Sequence, residues 1–216
     1  MELKKSDKVP DSKTFWLFRE QLIEKNIIMG LFKTFNETLD AAGVFANEGK
    51  MVDASFVKVP RQRNTREENK HIKETGTAPK EWKVKPHKLV QKDIDARWTK
   101  KNNNTFYGYK NHVKADTKTK LIEEYTVTDA SVHDSQAMEQ LLTEKANNKE
   151  KSSSRARVEH LFGFVENSMN GSFIRSIGIA RAEAKIGMMN LTYNICRCTQ
   201  LKIVVAPVVS KVELMG

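Results

Sequence analysis

GKMVDASFVKVP, residues 49–60, is the stretch from which the rest of the chain is read. Nearly every position is apolar or small, and Val52, Phe56, Val57 and Val59 add the β-branched and aromatic weight that suits a pleated surface. Gly49 opens the run and Pro60 stops it, so it reads as one buried strand. At its centre stands Asp53. A carboxylate in a buried strand costs several kcal/mol unless a cation or a set of donors compensates it. Two readings follow: a satisfied core aspartate capping a neighbouring turn, or a metal ligand in the middle of a sheet.

With 216 residues the chain fits one domain with an appendage and can bury a sizeable core. Its longest apolar runs, such as Ile203 to Pro207, are too short to span a bilayer. The opening MELKKSDK has no apolar segment of the secretory kind. Cys196 and Cys198 are one residue apart in a helical pattern and point to different faces, which suits thiols in a reducing cytoplasm rather than a disulfide. The net charge of +10 is concentrated. Between Arg61 and Asn104 stand thirteen Lys or Arg against six Asp or Glu, the density expected of a surface that meets a phosphate backbone.

Residues 1–48 read as two short helices. Asp11 and Ser12 start the first, with Phe15, Phe18 and Leu22 at helical spacing, and Leu31, Phe35 and Leu39 stripe the second up to Gly43. The segment 61–104 shows little periodicity and reads as a long basic insertion loop, in which Trp82 and Trp98 either anchor the loop or stack on bases. TFYGYKNHVKAD (105–116) and Leu121 to Thr128 read as a hairpin turning at 116–120. Asp134 caps a helix bearing Met138, Leu141 and Leu142, and His133 reads as a turn residue. The polar run 143–151 holds no strand. From Ser152 a long helix carries Val158, Leu161, Phe162 and Val165 on one stripe. Glu159 lies beside that stripe, one turn after Arg155, at the offset of an ordinary ion pair. Phe173 to Ile179 reads as a short strand, Arg181 to Ile203 as a helix, and 204–216 as a tail.

Five stretches together resemble the insertion-sequence transposases of the DDE superfamily, in the insertion-sequence-five group. They are VPDSKTFWLFREQL (9–22), GKMVDASFVKVPRQRN (49–64), DIDARWTKKNNNTFYGYKNHVKAD (93–116), TDASVHDSQAMEQLL (128–142) and the run from Arg155 to Arg197. The resemblance implies an α/β, RNase H-like mixed sheet over 49–203, preceded by a helical segment. It implies cleavage and joining of DNA at element ends by two divalent metals, Mg²⁺ or Mn²⁺, which hard carboxylate oxygens suit. By match of position Asp53 is the first metal-binding aspartate and Glu159 the glutamate, both catalytic. The expected DNA contacts are Arg155 and Arg157 on the late helix, with Arg61, Arg63, Lys100, Lys101 and Lys110. Transposon-end DNA, a second copy or an intact transposase are the implied partners, with no membrane. The implied location is a bacterial cytoplasm, at the nucleoid.

The sequence departs from the family between Leu142 and Ser152, where a fourth strand ending in the middle aspartate is expected. Only the nine residues TEKANNKEK stand there, without an aspartate. Asp116, Asp129 and Asp134 each already read as turn or cap residues. The family's tyrosine before Arg155 and lysine after Glu159 are replaced by Ser152 and Glu166. The expectation is therefore an incomplete sheet, a shortened N-terminus and a catalytically defective transposase, or a non-catalytic DNA-binding remnant.

Overall fold

The computed structural model describes residues 9–46, 48–141 and 155–203. Helix α1 (Ser12–Glu24) begins where Asp11 accepts a hydrogen bond from the Thr14 amide at 2.7 Å. Asn26, in the left-handed region at φ 49°, turns the chain into α2 (Ile27–Ala41), which buries Ile28, Phe32, Asn36 and Leu39. Strand β1 (Lys50–Lys58) follows. After it come α3 (Arg66–Thr75), α4 (Lys80–Lys83), α5 (Pro86–Gln91), β2 (Arg97–Lys101), β3 (Asn104–Asp116) and β4 (Ile122–Asp129). Helix α6 (Asp134–Leu141), α7 (Arg155–Met169) and α8 (Ile179–Gln200) complete the described chain. Among the described residues no helix is long and apolar enough to cross a membrane.

The sheet is antiparallel and centred on β3. Strand β1 pairs with it from Lys50↔Asp116 to Lys58↔Gly108, and β4 takes the opposite edge from Tyr109↔Asp129 to Ala115↔Ile122. Strand β2 pairs with the first residues of β3, from Arg97↔Gly108 to Lys101↔Asn104. At the Lys58↔Gly108 pair of β1 and β3 only glycine fits: Gly108 has φ +148°, and a Cβ there would stand 2.3 Å from the Val57 carbonyl oxygen.

Alternation splits the sheet into two faces. One carries Met51, Val57, Tyr109, Val113, Tyr125 and Val127, buried with Phe32 of α2, Leu161, Phe162 and Val165 of α7, and Ile186, Met189 and Tyr193 of α8. Buried asparagines fix these helices to the strands. Asn190 and Asn111 exchange amide hydrogen bonds at 2.9 and 3.1 Å, and Asn194 accepts from the Ile122 amide at 2.8 Å. The other face carries Lys110, His112 and Lys114 and is covered by α6, which buries Ala137 and Leu141.

Several expectations hold. The two N-terminal helices, the Asp53 strand, the hairpin and both late helices form close to where they were read. Three do not. The expected incomplete sheet, lacking a fourth strand, is not supported: the sheet of the described residues has four strands, the additional one being β2. The interval 142–154, where the family's strand was sought, lies outside the described residues, as does the tail 204–216. Phe173 to Ile179 forms no strand beyond a parallel bridge between Phe173 and Lys58.

The segment 61–104 is not a loop. Thr65 and Glu68 form a capping box that starts α3, Gly76 at φ +66° ends it, and Ile72 and Trp82 supply a buried anchor. Glu68 is the hub, accepting from Trp82 Nε1 and Lys88 Nζ, each at 2.6 Å. Burial opposes its ionisation, but these bonds outweigh it and hold the carboxyl at about 2.

Candidate functional site

Asp53 lies mid-β1, opposite Val113, on the face shared with Met51 and Val57. It is half-buried, and its Oδ1 accepts from the Ala54 amide at 2.8 Å. Glu159 is exposed on the second turn of α7, just before the buried Leu161 and Phe162. Helix α7 packs on β1. The chain folds back after Met169, with Gly171 N donating to Val165 O at 3.0 Å, and Ser172 to Ile174 then bracket Lys58 in parallel register. The packing of α7 on β1 sets the two elements that carry Asp53 and Glu159 side by side.

The alternative aspartates are committed to local structure. Asp116, fully buried, accepts from the amides of Lys118 and Thr119 and caps the hairpin turn. Asp129 accepts from the Ser131 amide. Asp134 pairs with Lys110 at 2.9 Å; its burial works against ionisation, yet the Lys110 hydrogen bond keeps its carboxyl below the usual range. His133 Nδ1 accepts from the Ser135 amide, the turn role read for it.

The expected DNA-contacting cations divide. Lys110 is buried, its ammonium donating to the Val132 carbonyl at 2.6 Å and to Asp134, so it is withheld from any ligand by the helix that covers its face. Arg61, Arg63, Lys100 and Lys101 are exposed, and Arg61 lies over the ring of Trp98 on β2. Arg155 and Arg157 are on the first turn of α7, and their side chains lie outside the described residues.

Asp93 and Asp95 carry weight that the sequence reading missed. Asp93 is buried and takes four hydrogen bonds: from the amides of Asp95 and Ala96 (2.9 and 3.0 Å), Tyr109 Oη (2.7 Å) and the Gly178 amide (3.1 Å). Asp95 accepts from Ile179 N at the start of α8 at 2.9 Å, where a carboxylate meets the positive end of the helix dipole. Together they tie the basic segment to β3 and α8. Burial, then the Asp93 charge, push the Tyr109 phenol well above its ordinary range. The acidic pair spaced for a turn at 93–95 was the available signal.

Residues 47–152 match the family model described as the transposase DDE domain. The match supports a DDE-superfamily transposase. No solved structure matches the chain. The transposase match takes in β1 with Asp53, the whole basic segment, the hairpin and α6, while Glu159 lies seven residues beyond its end. The donor chemistry of Asp53 and Glu159 suits a hard divalent ion. Among the described residues no three His, Cys, Asp or Glu side chains gather where they could hold one.

Proposed function

We infer that the chain is a DNA-end-binding protein of the transposase type, in the insertion-sequence-five group, with an RNase H-like core and a disabled catalytic centre. The observation that carries this reading is the transposase match running from Asp53 through a basic segment whose outer cations, Arg61, Arg63, Lys100 and Lys101, are exposed. Asp53 and Glu159 are the residues that would contact a divalent ion, Mg²⁺ or Mn²⁺. The packing of α7, which carries Glu159, on β1, which carries Asp53, supports that pairing. The polar run 143–151 offers no aspartate to complete the set. With two carboxylates the geometry of phosphoryl transfer is left loose, and small misplacements cost orders of magnitude in rate.

The test is the full-length chain incubated with duplex element ends and Mg²⁺ or Mn²⁺. Retarded DNA without strand cleavage is the expected result, with retention lost steeply as salt rises. Cleavage that disappears in Asp53→Ala would overturn the catalytic defect. Failure to retard any DNA would overturn the reading as a whole.

A further inference from the structure

The two tryptophans of the basic segment have opposite surroundings. Trp82 is 0% exposed, hydrogen-bonded through Nε1 to Glu68, and flanked by Lys88 and Lys92: it is an anchor. Trp98 is 43% exposed on β2. Its indole rests on Tyr107, ring centroids 4.9 Å apart at 36°, which props one side of the ring system from beneath. The Arg61 guanidinium stands 5.6 Å from its ring centroid. Lys100 is exposed on the same face of β2, two residues along. Among the described residues no carboxylate forms an ion pair with Arg61 or Lys100.

A half-exposed indole costs free energy in water, and its neighbours here are unneutralised cations rather than the apolar rim of a protein-docking patch. An aromatic face bordered by cations matches a flat, electron-rich ring joined to a phosphate: a nucleotide. Base faces inside a duplex are covered by their neighbours, so the ring is open to an unpaired base and not to one within the duplex. Position agrees with that role. Tyr107 O accepts from the Val59 amide at 3.1 Å, and Val59 is six residues beyond Asp53, which puts the ring about 20 Å along the strand from that carboxylate.

We propose that Trp98 is a stacking site for an unpaired nucleobase at a DNA end, the base taking the place over the ring that Arg61 holds in the free chain. The proposal rests on the DNA-binding reading above and narrows its substrate to ends with single-stranded character. Arg61 holds the phosphate of the stacked nucleotide while Tyr107 fixes the plane of the indole.

The experiment compares the full-length chain binding a blunt duplex with the same duplex carrying a short single-stranded overhang, at fixed salt. The overhang is expected to bind about tenfold more tightly, the usual size of one base–aromatic stack. Trp98→Leu is expected to abolish the difference and Trp98→Phe to keep part of it. Wild-type tryptophan emission, quenched by the overhang and not by the blunt end, reads the same contact without a substitution. Equal affinity for both DNAs, or a preference that survives Trp98→Leu, overturns the stacking site and leaves the DNA-binding reading intact. No binding to either DNA overturns both.

Discussion

Replacing Asp93 by asparagine tests whether the basic segment is held by one buried carboxylate. The ionised group only accepts, and all four of its partners donate: two backbone amides to Oδ1, Tyr109 Oη and the Gly178 amide to Oδ2. An asparagine amide keeps one oxygen, so whichever way it turns two donors face an NH₂. Each lost bond to a charged acceptor is worth about 1.5–3 kcal/mol. The Tyr109 hydroxyl can rotate to accept and recover part of one. The net cost is then about 3 kcal/mol, which for a chain of this size lowers Tm by roughly 6–12 °C. Tyr109→Phe, which removes a single donor, costs about 1–2 kcal/mol, and because the two side chains touch, the double variant is expected to lose less than the sum. Urea unfolding followed by circular dichroism measures all three. If Asp93→Asn stays within about 0.5 kcal/mol of wild type, the segment is held by something other than this carboxylate.

Three further outcomes follow from buried groups. His112 is buried beside Thr128 and Ala54, and burial pulls its imidazole down to about 4 from 6.5. An unfolded chain therefore takes up this proton first as pH falls: stability is full above 6.5 and drops by on the order of 3 kcal/mol between 6.5 and 4, a loss that His112→Gln should remove and that urea midpoints across that range will show or deny. Glu68, at about 2 in the folded chain against 4.5, stabilises above 4.5 and fades as pH falls toward 2, so Trp82 emission should shift to the red over that interval in wild type and at neutral pH in Glu68→Gln; an unshifted variant would mean Glu68 does not seat the indole. Gly108→Ala sets a Cβ against the Val57 carbonyl at a φ few side chains adopt, so more than about 2 kcal/mol of stability should go, and a cost below 1 would show that β1 and β3 can part there.

Much of the architecture was legible because its signals are local. β-branched residues between Gly49 and Pro60, the turn at 116–120, and the stripes through Leu161 and Ile186 each settle an element by themselves. The helices of 61–104 were missed because they are short and charged, with burial resting on Ile72 and Trp82, although the Thr65–Glu68 box was in plain view. Strand β2 buries nothing of its own and exists through pairing with β3. The site was read less well. Asp53 stood out as a candidate because it is an acid inside an apolar strand. Asp93 was not, since its partners Tyr109 and Gly178 lie 16 and 85 residues away. Nor does sequence reveal that Lys110 faces α6 rather than solvent.

That last difference bears on how charge becomes affinity. The segment 61–104 holds thirteen basic residues, and if each neutralised a phosphate the logarithm of DNA affinity would fall with the logarithm of salt at a slope near −12. The fold does not present them equally. Lys88 is bound to Glu68, Lys92 donates to Arg63 O and Asn64 Oδ1, and Arg97 bonds the Ala96 carbonyl. The other ten are exposed; if only Arg61, Arg63, Lys100 and Lys101, the four nearest β2, meet the duplex, the slope is about −3.6, each Arg→Gln or Lys→Gln change at these four reducing it by about 0.9. A salt titration of duplex binding decides between the two counts. A slope beyond about −8 would mean that the exposed cations between Arg66 and Lys85 share the contact, and that the charge of the whole segment, rather than the four near β2, makes the footprint.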